Sequence, residues 1–308
     1  MIIGEVVLGS KKINLSKNNS FLKKKKFKKI FSKTGIRIVY EAGKKENSLT
    51  LAVKACKKLL KKIDKNVEGL FYVSQSHVST IPSSSSLLHQ KLGLNKNCFL
   101  MDMVQGCSGF PYALITAINL INSGTINNAI IICSETYRKY INKRNVSCGA
   151  LFSDAASAFY LNKKKLPKII SSYTYSDGLG IENLCLKRKN SNKELFMHGS
   201  NVFTFTNQYI PQIVDKLLKK AKLRKNDIEY FIFHQASSIV LNTLRQKLEI
   251  PKNKFYYNFQ NLGNTVSNTI PIALIDSYKK KLIPKKKPVL IIGFGVGYSV
   301  CGGIFIFD

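Results

Sequence analysis

Unbroken apolar runs alternate along the chain with amphipathic, lysine-rich segments. "AIIIC" (129–133), "YFIF" (230–233) and "VLIIG" (289–293) contain no polar position, which predicts strands covered on both faces by helices. "ACKKLLKKIDKNVEGLFYVSQS" (55–76) reads as helix, turn, buried strand and small polar residues. "VDKLLKKAKLRKNDIEYFIFHQAS" (214–237) repeats that order. The repetition continues, since residues 89–118 parallel residues 245–275 and Gln-Lys-Leu recurs 156 positions apart. "NNAIIICSE" is then matched by "KPVLIIGFG", and "ALFSDAASAFYL" by "YSVCGGIFIFD". Self-similarity at this period predicts two α/β halves, residues 1–165 and 166–308, joined at the lysine-rich "NKKKLPKI" (162–169). Packed together they make a pseudo-twofold α/β protein in which equivalent loops meet at the centre.

The last apolar stretch, "VLIIGFGVGYSVCGGIFIF" (289–307), is uncharged and long enough to cross a bilayer. Its five glycines and its β-branched and aromatic residues instead predict two buried strands turning at a glycine-rich centre, with no membrane insertion.

Charge changes this picture little. Among 308 residues, 49 Lys plus Arg stand against 17 Asp plus Glu, a formal net charge of +32. Such a value raises nucleic acid or anionic membranes as partners. The lysines nevertheless sit almost everywhere outside the apolar runs, with no aromatic-basic stripe and no binding module, so solvated surface is the reading and nucleic acid is not expected. An attraction for acidic partners survives. Seven cysteines, an odd number with no metal-like pairing at two-residue spacing, fit free thiols in a reducing cytoplasm and no metal site. The start, "MIIGEVVLGSKK", has Glu5 inside its apolar part and no basic leader.

One cysteine differs from the rest. In "DMVQGCSGFPYALITAINLI" (102–121), Cys107 lies where a strand-like run gives way to an amphipathic segment. A thiol at a helix start meets unpaired N–H groups and the positive end of the helix dipole, which favour thiolate. Gly106, Ser108 and Gly109 leave room for a substrate. Along the repeat, at an offset of 157, Asn264 of "NLGNT" stands opposite Cys107, and His234 of "FIFHQAS" ends a strand of the second half. The other cysteines, and His77, His89 and His198, read as structural or exposed.

"QGCSGFPYAL", "HQAS" and "NLGNT", in this order and spacing, resemble the active-site motifs of the β-ketoacyl-acyl-carrier-protein synthase III family; "KTGIR" (33–37), "LFSDAASAF" and "GFGVGYSVCGG" agree. The resemblance implies a thiolase-like fold, two similar α/β halves in five layers (αβαβα), and a homodimer. It implies Cys107 as the nucleophile that takes an acyl group from a thioester. N–H groups at Cys107 and in the Gly295-Val296-Gly297 turn would hold the oxyanion. His234 and Asn264 would bind the carbonyl of a malonyl thioester as it loses carbon dioxide and condenses. Ile81 falls at the end of the acyl pocket, where the family often reaches across the dimer interface. No permanent cofactor is implied, since substrates arrive as phosphopantetheine thioesters on acyl carrier protein or coenzyme A.

The departures from the pattern concern substrate. The family's adenine-stacking tryptophan before "TGIR" is Lys29 here, and the chain has no tryptophan at all. Ile239 stands where a basic carrier-docking residue is usual, Val296 interrupts the glycine turn, and "SDAASA" replaces a "GDGAGA" type of stretch. A carrier-protein-bound primer is the resulting expectation. Two other readings stay open at this point: transfer of the acyl group to oxygen or nitrogen without condensation, and a non-catalytic partner subunit. Intact Cys107, His234 and Asn264 argue against both.

Overall fold

The computed structural model describes residues 2–16, 24–142, 145–189, 192–295 and 297–307. The first half holds β1 (Ile3–Leu8), β2 (Lys11–Asn14), α1 (Lys24–Thr34), β3 (Ile38–Glu41), α2 (Ser48–Leu59), β4 (Gly69–Val73), α3 (Ser84–Leu92), β5 (Phe99–Met103), α4 (Gly109–Asn122), β6 (Asn128–Glu135), α5 (Val146–Gly149) and β7 (Ala155–Asn162). The second holds β8 (Lys168–Ser176), β9 (Leu184–Lys189), β10 (Asn192–Met197), α6 (Gly199–Ala221), β11 (Tyr230–Phe233), α7 (Ser238–Lys247), α8 (Thr269–Lys279), β12 (Pro288–Gly295) and β13 (Ser299–Ile306).

One sheet runs β1-β7-β6-β4-β5, with β4 parallel to β5 and β6, and β7 antiparallel to β6 and β1. The other runs β11-β12-β13-β8, with β11 parallel to β12, and β13 antiparallel to β12 and β8. Strand for strand, β1 matches β8, β4 matches β11, β6 matches β12 and β7 matches β13. The counterpart of β5 is reduced to one parallel bridge, Phe231 to Phe255, which the chain reaches through Pro251 and a 3₁₀ turn (Lys252–Lys254).

Helices α2 and α3 cover the outer face of the first sheet, α6 and α7 that of the second, and α4 and α8 lie between the sheets. This is the five-layer αβαβα order. Every residue of β4, β6 and β11 is buried, as their unbroken apolar runs require. A single central cluster joins Phe71, Phe110, Leu114 and Ile131 of the first half to Ile232, Ile270, Leu274 and Ile291 of the second. Each such side chain contributes about 1.5–3 kcal/mol on full burial, so the halves share a core. The stretch 289–307 forms the antiparallel pair β12 and β13, and no described helix is long and apolar enough to cross a membrane.

The structure corrects the register of the repeat at its centre. Helices α4 and α8 start from matching 3₁₀ turns, Gly106–Ser108 and Val266–Asn268, each opened by a residue at positive φ, 53° at Gly106 and 57° at Val266. The offset there is 160, so Cys107 matches Ser267, and "PYALI" (111–115) matches "PIALI" (271–275). Four more residues separate Leu248 from Pro271 than Leu92 from Pro111, and the offset of 157 fell inside that insertion. Asn264 precedes the matching turn.

Candidate active site

Cys107 sits at the centre of its turn because glycine backbone makes space on two sides. Gly106 takes a left-handed φ, and a Cβ there would stand 2.4 Å from Gln75 Oε1. Behind the turn runs β12, where a Cβ on Gly293 would come within 2.6 Å of the Cys107 carbonyl oxygen. A Cβ on Gly295 would lie 2.9 Å from Cys107 Cβ and 3.1 Å from Sγ. Positions 293 and 295 share one face of the strand, so the nucleophile's turn rests on bare backbone. Ser108 Oγ fixes it further, donating to the Gln105 carbonyl (3.0 Å) and pairing with Ser299 Oγ of β13 (2.8 Å). Gly295→Ala is expected to leave the fold intact and to slow alkylation of Cys107 by iodoacetamide by about tenfold, a barrier of about 1.4 kcal/mol. Site-resolved mass spectrometry with a melting curve checks both.

The thiol is 3% exposed. Burial pushes it up from its ordinary value, and the Glu135 carboxylate acts in the same direction. The helix start that favours thiolate is therefore outweighed in the resting chain, where Cys107 is a neutral thiol. Around it pack Tyr137, Cys148, Phe152, Leu184, Leu195 and Val266.

His234 directly follows β11, its N–H bonded to the Ile292 carbonyl (2.9 Å) and the residue 3% exposed. Nδ1 lies 2.6 Å from Thr269 Oγ1, and the Phe294 ring stands perpendicular to it at 5.3 Å. Burial brings its pKa down to about 3, so the imidazole is neutral at physiological pH. Gln235 anchors the following loop, donating to the Phe233 and Tyr256 carbonyls and accepting from Asn258 N–H.

Asn264 is threaded into the first half: its N–H donates to the Leu151 carbonyl and its carbonyl accepts from Ser153 N–H, both at 2.9 Å. Its Oδ1 accepts from Val266 N–H at 2.9 Å, which holds Val266 in a left-handed conformation that β-branched residues rarely adopt. The amide is thereby oriented, and Nδ2 faces His234 Nε2 at 3.4 Å. Cys107 shares a buried cluster with Val266, whose N–H binds the asparagine, and backs onto Gly295, whose neighbour Phe294 flanks the histidine. Thus the structure brings all three sequence-predicted side chains to one buried centre.

A cavity of about 400 Å³ borders the cluster that contains Cys107, sharing Tyr137, Leu184 and Leu195 with it and bounded also by Gly297, Gln75, His77 and Cys185. Val296 lies outside the described residues. Ile81 is 92% exposed and is not among the walls of this cavity in its own chain. His77 and Cys185, read from the sequence as structural or exposed, border the cavity. Sequence reasoning missed Thr269, Gly293, Tyr137, Ser267 and Glu135. The repeated Pro-x-Ala-Leu-Ile was the signal for Ser267, and the charged end of "AIIICSE" was the signal for Glu135.

A buried thiol, a neutral imidazole and an oriented carboxamide at the seam of two repeated α/β halves define an acyltransferase of the thiolase-like fold. Comparison with known proteins narrows the class. Residues 101–178 match the family model of 3-oxoacyl-[acyl-carrier-protein] synthase III, and residues 218–306 match the model of its C-terminal part. The β-ketoacyl-[acyl-carrier-protein] synthase III of Clostridium novyi (strain NT) is 33% identical over 286 residues, 88% of this chain and 87% of that one. Its counterpart from Lactococcus lactis subsp. cremoris (strain SK11) is 31% identical over 286 residues, with the same coverage. The crystal structure of 3-oxoacyl-[acyl-carrier-protein] synthase III from Aquifex aeolicus VF5 superposes with a TM-score of 0.89 at 26% identity, covering 99% of each chain. The chain belongs to the 3-oxoacyl-[acyl-carrier-protein] synthase III family.

Proposed function

We propose that the chain joins an acyl group to a malonyl thioester, with loss of carbon dioxide, to give a β-ketoacyl thioester on acyl carrier protein. Cys107 Sγ bonds to the acyl carbon, the entering thioester's C–S bond breaks, and the thiol proton leaves with the phosphopantetheine sulfur. N–H groups of Cys107 and of the turn at Gly295 and Gly297 hold the oxyanion. In the second half-reaction the bond to the malonyl carboxylate breaks, carbon dioxide leaves, and the electron pair becomes an enolate. When the Thr269 hydroxyl turns from the Val266 carbonyl, to which it donates at 3.1 Å, toward Nδ1 at 2.6 Å, the ring proton of His234 sits on Nε2 and points to the enolate oxygen, and Asn264 Nδ2 supplies a second donor. The carbanion then attacks the acyl carbon and expels Cys107, which recovers a proton.

The observation that carries this reading is the pair His234 Nε2 and Asn264 Nδ2, 3.4 Å apart and buried beside the thiol. Neither group carries charge at neutral pH, so both are free to stabilise the enolate left by carbon dioxide, a task that simple acyl transfer does not require. Intact-protein mass spectrometry with a panel of acyl thioesters tests it. The expected result is a mass gain on Cys107 that malonyl-carrier protein discharges with release of carbon dioxide. An acyl adduct that malonyl leaves in place would overturn condensation in favour of transfer to oxygen or nitrogen.

Carrier-protein-bound primer is the form this chain suits. Lys29 on α1 and Ile239 on α7 are both exposed on neighbouring helices, where neither offers an aromatic face to adenine. An acidic carrier is drawn by the excess of lysine. A homodimer is supported by β5, an edge strand whose five residues are all half-buried, by exposed Val104 (56%) directly after it, and by exposed Ile81 ahead of α3. In such a dimer Ile81 closes the partner's acyl pocket. Residues 1–165 and 166–308 serve as the half carrying the thiol and the half carrying its two donors. A cytoplasmic setting fits the seven cysteines, all free in the structure.

A further inference from the structure

One buried ionisable group beside the site takes no part in the reaction above. Glu135 ends β6 with no exposed surface. Its Oε2 accepts from Ser76 Oγ at 2.8 Å, its Oε1 from Ser267 Oγ at 2.9 Å, and both oxygens from Gln75 N–H at 3.2 Å. Ser76 and Gln75 belong to the first half, whereas Ser267 is the second-half residue in the place that Cys107 occupies in the first. The carboxylate is thus fastened across the seam, between the nucleophile and its structural counterpart. No cation is among its hydrogen-bond partners in the described residues. Arg138, on the turn after β6, is committed to Glu41 and to the carbonyls of Gly149 and Phe152.

The titratable groups facing Glu135 are Tyr72 from β4, Cys133 from its own strand, Tyr137 and Tyr140 from the turn beyond it, Cys107 from the turn before α4, and Asp154 ahead of β7. Each is neutral or acidic, so a carboxylate here meets nothing that its charge would pair with, and it raises the cost of a second anion at Cys107. We infer that Glu135 is a positioning residue that holds the unloaded nucleophile as a thiol, so that Cys107 gives up its proton only as a thioester enters. Burial pushes the Glu135 carboxyl up to about 7 against its three donors. The restraint therefore strengthens as pH rises through neutrality and vanishes on the acid side, where Glu135 is uncharged.

The consequence for acylation rests on Cys107 as nucleophile, but the thiol's own chemistry tests the inference without any acyl substrate. The rate constant for carbamidomethylation of Cys107 by iodoacetamide is measured in the full-length protein between pH 6 and 9, resolved from the other cysteines by peptide mass. The ratio of Glu135→Gln to wild type is expected to start near one and to climb to about tenfold above the Glu135 titration, one pKa unit of thiolate. Ser267→Ala removes a donor to the charged form, raises the Glu135 pKa, and is expected to shift the ratio the same way by a smaller factor. A ratio that stays at one across the range in folded Glu135→Gln overturns the inference. If that variant does not fold, a flat Ser267→Ala profile overturns it. A shifted profile in a protein that thioesters fail to acylate would leave this inference standing and sink Cys107 as the acyl acceptor.

Discussion

Cys107→Ala is expected to abolish acylation outright, with no mass gain from any thioester that loads the wild type, while its melting temperature stays within a few degrees. The chemistry leaves no substitute. Two of the other six thiols, Cys98 and Cys185, reach the surface in part, and burial pushes Cys98 up to about 11. Cys56, Cys133, Cys148 and Cys301 are buried among apolar neighbours, and burial raises each of them too. Losing one sulfur from a core site costs about 1 kcal/mol, in the range for deleting a buried group of that size. The fold therefore outlasts the activity. Acylation that persists in Cys107→Ala would place the nucleophile elsewhere, Cys185 on the cavity wall being the next residue to replace.

The catalytic trio was legible because its signal is local. Each of the three side chains ends a strand or opens a turn beside small residues, and an apolar run marks the strand that delivers it. The two-sheet architecture was legible for the same reason: β4, β11 and β12, and β6 from Ala129 to Cys133, are apolar because helices cover both of their faces. Register at the centre was not, because four residues inserted before α8 change the offset from 156 to 160, so that Ser267 and not Asn264 matches Cys107, and a single offset cannot follow an insertion.

The ionisation of the thiol was illegible for a different reason. Position at a helix start is written in the sequence, whereas burial to 3% and an anion delivered from β6 depend on how the sheets pack. A local rule favoured thiolate; desolvation, the larger effect, favours the thiol. Glu135 escaped notice likewise, since a carboxylate at a strand end reads as surface until Ser267 arrives from the other half to bind it.

The donors that follow acylation give the second large effect. Asn264→Asp and His234→Ala are expected to load an acyl group near the wild-type rate and to discharge it to malonyl about 10²–10³ times more slowly, about 2.7–4 kcal/mol of barrier for one lost donor. Asp is the sharper probe at 264. Asn264→Ala would leave Val266 N–H without the Oδ1 it bonds at 2.9 Å, an unpaired buried donor costing about 1–3 kcal/mol of stability. Aspartate keeps that acceptor and replaces the donor aimed at the enolate with a carboxylate oxygen that repels it. The pH profile separates the two residues further. His234 becomes cationic only below about 3, so the wild-type discharge step should show no inflection from a histidine near its ordinary value of about 6.5. Single-turnover discharge of the acyl-enzyme from pH 5 to 9 measures this. An inflection near 6.5 that disappears in His234→Ala would show that the ring titrates in the working enzyme, and its role would then be that of an acid rather than a neutral donor.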